Sequence, residues 1–136
     1  TSISAAFTIT TDATYFLRIE NPDGNAVRSS TALLTVSDAP AWTTSAGSLG
    51  TNAAGSAVSY TVAATGATSF AIQSGTLPGG VTLNTSTGVI SGTESGATAE
   101  TTYNFTIRAS DAEAQTADRA FSITITVGIN NSGQFN

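Results

Sequence analysis

Thr76-Leu77-Pro78-Gly79-Gly80-Val81-Thr82-Leu83-Asn84-Thr85-Ser86-Thr87-Gly88-Val89-Ile90-Ser91-Gly92-Thr93 is the stretch that decides how this chain folds. Leu77-Pro78-Gly79-Gly80 reads as a turn, because proline presets φ and glycine supplies backbone angles that other residues avoid. Val81-Thr82-Leu83 and Val89-Ile90-Ser91 are short β-prone runs. Asn84-Thr85-Ser86-Thr87-Gly88 joins them, a loop of the length that closes hairpins, with glycine where positive φ is needed. Leu77, Val81, Leu83 and Ile90 are expected in a core, and the stretch holds no acid, base or cation for chemistry.

Outward from that hairpin the same period-two pattern recurs. Ile3, Ala5, Phe7 and Ile9 alternate with small or polar residues, and a second run sets Tyr15, Leu17 and Ile19 on one face against Phe16, Arg18 and Glu20 on the other. Such alternation predicts half-buried strands. Asn21-Pro22-Asp23-Gly24 predicts a hairpin turn, and Val27 and Leu33-Leu34-Thr35-Val36 continue as strands. Ser37-Asp38-Ala39-Pro40 reads as a linker, since proline breaks a sheet ladder. Beyond it come Val58-Tyr60-Val62, Phe70-Ile72, Tyr103-Phe105-Ile107 and Phe121-Ile123-Ile125-Val127, with turn signals between. Roughly seven short strands at this spacing predict a β-sandwich over 40–128. No window has the spacing of an amphipathic helix, so the chain is expected to be all-β. Residues 1–39 form a small β segment too short to close a sandwich, and residues 129–136 a polar tail.

Composition narrows the function. The 136 residues include no Cys, His, Met or Lys and only four Arg, and the net charge is −5. Without cysteine there is no disulfide framework and no thiolate metal site. Without histidine the commonest general base is missing, and without lysine there is neither Schiff-base chemistry nor a phosphate-binding P-loop. An enzyme would have to run on carboxylates alone. Four scattered arginines cannot build the basic stripe that nucleic acid requires, and anionic membranes are disfavoured for the same reason. No apolar run approaches the ~20 residues that span a bilayer, and Thr1-Ser2-Ile3 does not open a signal peptide. The first residue is not methionine, which points to a processed product or a piece of something longer. No cofactor is expected.

Two resemblances stand on particular residues. Tyr15-Phe16-Leu17-Arg18-Ile19-Glu20-Asn21-Pro22-Asp23-Gly24, with Ser29-Ser30 and Leu34-Thr35-Val36, resembles the second half of an IPT/TIG Ig-like domain. Leu77-Pro78-Gly79-Gly80, Leu83, Thr87-Gly88, Ile90 and Gly92-Thr93, with the closing Phe121-to-Val127 strand, are similar to the putative-Ig, cadherin-like repeat family. Val81 departs from the leucine that family favours. Together they imply an Ig-like/cadherin-like β-sandwich preceded by a partial Ig-like segment. The combination resembles marine bacteriophage virion proteins, particularly fibre and tail-associated ones. That implies a non-enzymatic building block on the virion or outside the cell, associating with itself or with other virion proteins. The alternative is an adhesion or glycan-binding module of a bacterial surface protein, which would take a cell-surface glycan.

Candidate chemistry is sparse. Cadherin-like modules bind calcium, which needs about six to eight oxygens. Asp111, Glu113 and Asp118 are the candidate ligands, with Glu100 or Asp38 at the same end, although Arg119 is placed to neutralise Asp118 or Asp111. Glu94 and Glu100 could pair as glycosidase carboxylates, which need a cleft and a spacing of about 5–9 Å. The small residues between them promise no burial. For sugar stacking, Phe16 and Phe135 are the aromatics expected to be exposed, while Trp42 reads as a core plug or interdomain wedge. Triplets at Asn84, Asn104 and Asn130 match the N-glycosylation pattern, as chance allows in a Ser/Thr-rich chain.

Overall fold

The computed structural model describes residues 13–20, 24, 26–28, 30, 31, 34–36 and 38–128. The chain divides into two compact units, Thr1–Asp38 and Ala39–Asn136. All regular structure among the described residues is strand.

In the first unit, β1 (Ala13–Tyr15) pairs antiparallel with β4 (Leu34–Val36), setting Tyr15 opposite Leu34. β2 (Arg18–Glu20) pairs with β3 (Ala26–Arg28), setting Arg18 opposite Arg28. The continuous strand expected over 15–19 is therefore two strands, broken at Phe16 and Leu17. The halves take different partners, so the alternation in sequence survives while the ladder does not. Gly24, the last residue of the turn expected over 21–24, lies between β2 and β3 with φ of 84°. The other three turn residues, and the strand expected over 3–9, lie outside the described residues.

The second unit is the sandwich. Its strands are β5 (Ala41–Trp42), β6 (Gly47–Ala53), β7 (Ala57–Thr61), β8 (Ala64–Thr65), β9 (Ser69–Gly75), β10 (Val81–Leu83), β11 (Val89–Thr93), β12 (Thr101–Ser110) and β13 (Thr116–Thr126). One sheet has the order β10-β11-β7 and the other β6-β13-β12-β9, with β5 and β8 forming a two-stranded ladder. All pairings are antiparallel except β6 with β13, which is parallel. The core lies between the sheets. Val58 and Ile90 come from one, and Phe70, Phe105, Ile107, Phe121, Ile123 and Ile125 from the other, all buried. This is the inward half of each alternating run, as the pleat requires.

The opening stretch forms the hairpin expected of it. Val81, Thr82 and Leu83 pair with Gly92, Ser91 and Ile90. Asn84 sets up the loop: its Oδ1 accepts from the Ser86 and Thr87 amides at 3.0 and 3.1 Å, and its carbonyl from Gly88 at 3.0 Å. This asparagine is occupied by the turn. Gly88 has φ of 72°, and a Cβ there would run into the Val62 carbonyl and the Phe70 ring. Its own carbonyl accepts from the Val62 amide at 3.0 Å, so the loop is tied to the end of β7. Gly80 is similar: φ is 75°, and a Cβ would strike the Thr93 carbonyl. Pro78, Val81 and Ile90 are buried, and Leu77 and Leu83 pack on the core half-buried.

Candidate interaction surface

The candidate calcium ligands are placed by the β12–β13 hairpin, and each has a local task. Asp111 Oδ1 accepts from the Glu113 and Gln115 amides at 3.0 and 2.7 Å, and the Asp111 amide donates to the Gln115 carbonyl at 3.1 Å. Its carboxylate therefore holds the turn, in which Ala114 takes φ of 64°. Asp118 accepts two hydrogen bonds from Arg108, from Nε at 2.7 Å and Nη2 at 2.8 Å. That bidentate pair holds the Asp118 carboxyl below its ordinary value and raises the Arg108 guanidinium, chiefly through the hydrogen bonds themselves. Glu113 is exposed at the turn. Among the described residues no three acidic groups come together to hold a metal. Asp111, Glu113 and Asp118 are thus not gathered into one cluster, nor joined into one by Glu100, among the described residues.

Arg119 is not the neutralising partner expected of it. Asp118 and Arg119 are neighbours on a strand, so they point to opposite faces. Asp118 faces outward beside Arg108, its direct partner across the ladder. Arg119 shares the inward parity of Phe121, donates from Nη1 to the Thr44 carbonyl at 2.7 Å and lies 6.0 Å from the centre of the Trp42 ring.

Trp42 is a core plug. Its ring packs 5.4 Å from Phe121 and 5.9 Å from Phe70, centre to centre, and its Nε1 donates to the Ala117 carbonyl at 3.1 Å. A half-buried ring whose N–H finds an acceptor fills the end of a sandwich at no polar cost. Phe16 is exposed, as expected, but Arg28 sits over it at 3.8 Å from the ring centre. Leu17 and Ile19 beside it are exposed at 49 and 59 %. Phe135 lies outside the described residues.

Glu94 overturns the expectation that its loop offers no burial. It is 2 % exposed. Oε2 accepts from the Gly55 amide at 2.8 Å, Oε1 from the Ala97 amide at 3.0 Å, and the Glu94 amide donates to the Ser56 carbonyl at 2.9 Å. The carboxylate clamps the β6–β7 turn to the loop leaving β11. Glu100 is exposed and takes no part, so the two do not form a catalytic pair. Nothing in the spacing pointed to this clamp, because Gly55 and Glu94 are 39 residues apart.

Three of the four sandwich edges, β6, β9 and β10, are blunted. β6 and β9 each carry a register shift against their neighbours, and β10 has three residues. Bulges and short edge strands keep sheets from adding further strands. The Phe70 amide on β9 is also taken, by the Thr85 carbonyl at 2.7 Å.

The Putative Ig domain family model matches residues 39–126. The chain belongs to that family. This Putative Ig domain is similar in fold to a protocadherin gamma-B4 extracellular domain, at 16% identity and a TM-score of 0.50 over 77% of this chain and 20% of that one. It is similar also to an endo-fucoidan hydrolase of glycoside hydrolase family 107, at 18% identity and a TM-score of 0.50, over 93% of this chain and 21% of the hydrolase. The chain spans about a fifth of the length of each. No curated protein matches it in sequence. An Ig-like/cadherin-like β-sandwich is established by these findings, and such a domain suits structural or adhesive work.

Proposed function

We propose that this Putative Ig domain is a non-enzymatic structural module, a building block of a virion fibre, tail or decoration layer. It works on the virion or outside the cell, needs no cofactor and assembles with copies of itself or with other virion proteins. The observation that supports this reading best is the fate of the carboxylates. Asp118 is closed on Arg108, Asp111 holds a turn and Glu94 holds two loops. These three carboxylates are spent on architecture. The first unit supplies the contacts: its three-residue strands leave Phe16, Leu17 and Ile19 open to solvent, and strand edges with apolar side chains are the usual means of β assembly. No helix of the described residues is long and apolar enough to cross a membrane.

The second reading is an extracellular adhesion or glycan-binding module of a bacterial surface protein, favoured by the exposed Phe16 ring. Light scattering and negative-stain microscopy separate the two. Regular oligomers or filaments insensitive to added sugars support the structural role. A stable monomer that binds a glycan array through Phe16 overturns it.

A further inference from the structure

Apart from the Arg108–Asp118 pair, two rows on the outer face of the four-stranded sheet carry only uncharged hydroxyl and amide side chains. With Phe105, Ile107, Phe121, Ile123 and Ile125 turned inward, alternation turns their strand neighbours outward. Two rows then run across β6, β13 and β12: Thr51, Thr124 and Thr102 in one, Ser48, Ser122 and Asn104 in the next. In the first row the Thr102 and Thr124 hydroxyls bond each other at 3.0 Å. In the second, the Asn104 amide and the Ser122 hydroxyl make no hydrogen bond to any described residue. One row further along β13, Ala120 is too small to fill its place, and Gly47, opposite Phe121 on β6, has no side chain. A shallow hollow of about 170 Å³ opens there, lined by Ala46, Gly47, Asn104, Ala120, Phe121 and Ser122.

We propose that this hollow binds one sugar residue of an uncharged polysaccharide. Its lining holds no ionisable group. The ion pair nearest to it on that face, Arg108 with Asp118, is satisfied internally by two hydrogen bonds. A net charge of −5 repels anionic polymers, which selects against acidic glycans. The Asn104 amide both donates and accepts, and the Ser122 hydroxyl does the same, so the pair matches neighbouring hydroxyls that also do both. The Ala46 and Ala120 methyls give sugar C–H groups an apolar floor. Phe121 lines the hollow but is buried with the core and offers no exposed ring, so recognition rests on hydrogen bonds, and one site binds weakly. Repeated copies along a polymer raise the apparent affinity without new contacts.

The experiment is an amide NMR titration of the full chain with dextran, galactomannan and xylan, with alginate as the anionic comparison. A neutral polymer is expected to shift the Asn104 side-chain amide and the backbone resonances of Gly47, Ala120 and Ser122, with alginate shifting none of them. Ala120→Arg fills the hollow, and Asn104→Ala removes its main polar group. Each is expected to weaken binding by about tenfold or more, as loss of one or two hydrogen bonds requires. Both positions are exposed, so both variants should melt with the native chain. Absence of shifts with all three neutral polymers overturns the proposal, as do shifts centred elsewhere, shifts with alginate alone, or unchanged binding by Ala120→Arg. Run in the Ile19→Asp background, which is expected not to assemble, the titration reads single chains, so its outcome is separable from whether the native chain assembles.

Discussion

Replacing Glu94 tests whether the sandwich depends on a buried carboxylate. The side chain is 2 % exposed, and its two oxygens accept the Gly55 and Ala97 amides at 2.8 and 3.0 Å. Glu94→Ala removes both acceptors at once. A hydrogen bond to a charged group contributes about 1.5–3 kcal/mol, so losing two costs up to about 6 kcal/mol. Water reaching the loops recovers part of this, because Gly55 is exposed and Ala97 only half-buried. A net loss of roughly 3 kcal/mol is expected. For a domain of this size each kcal/mol lowers the melting temperature by about 4–8 °C, which gives a drop of roughly 12–24 °C. Glu94→Gln keeps one accepting oxygen and turns an N–H toward the other donor, so it should fall about halfway. Glu100→Ala, at an exposed position, should change stability by less than about 0.5 kcal/mol. Thermal unfolding followed by circular dichroism at neutral pH reads all three. If Glu94→Ala melts no lower than Glu100→Ala, the clamp is not holding the loops and the reasoning fails.

Three further outcomes follow from the same structure. Gly88→Val should lose about 1–2 kcal/mol from the backbone angle alone, and more from the collision with the Val62 carbonyl, so an unchanged melting temperature would refute the hairpin geometry. The Asp118 carboxyl, lowered by Arg108, should titrate by NMR with a midpoint below its ordinary 3.8. Its contribution is complete above that unfolded-state value and lost as pH falls through the lower folded-state value, and it stays small because both side chains are more than a third exposed. Added calcium followed by EDTA should leave the melting curve in place, since no acidic cluster is formed among the described residues; a lower melting temperature after chelation would show a metal site.

The parts of the fold that were legible in sequence are those with a local cause. Tyr103-Phe105-Ile107 and Phe121-Ile123-Ile125 alternate because one face of each strand meets the core, and the pleat alone dictates that. The 81–91 hairpin was legible because Gly88 must take a positive φ. β6 was not. Gly47-Ser48-Leu49-Gly50-Thr51-Asn52-Ala53 has no alternation and only Thr51 as a β-prone residue, and it is a strand because β13 offers it a parallel ladder. The break at Phe16 and Leu17 escaped notice for a related reason: two short ladders preserve the same alternation as one long one. At the candidate site, the Arg108–Asp118 pair depends on cross-strand register, and the Glu94 clamp on two loops meeting across the sandwich. Neither leaves a local mark in the sequence.

The central claim is that the chain works by assembly, with the carboxylates of Glu94, Asp111 and Asp118 committed to architecture. Light scattering of the purified chain over a range of concentrations, with negative-stain images of the same samples, tests it most directly. The expected result is a regular oligomer or filament that dissociates in an Ile19→Asp variant while the sandwich still melts as before. A monodisperse monomer at every concentration, with Ile19→Asp indistinguishable from it, would contradict the account.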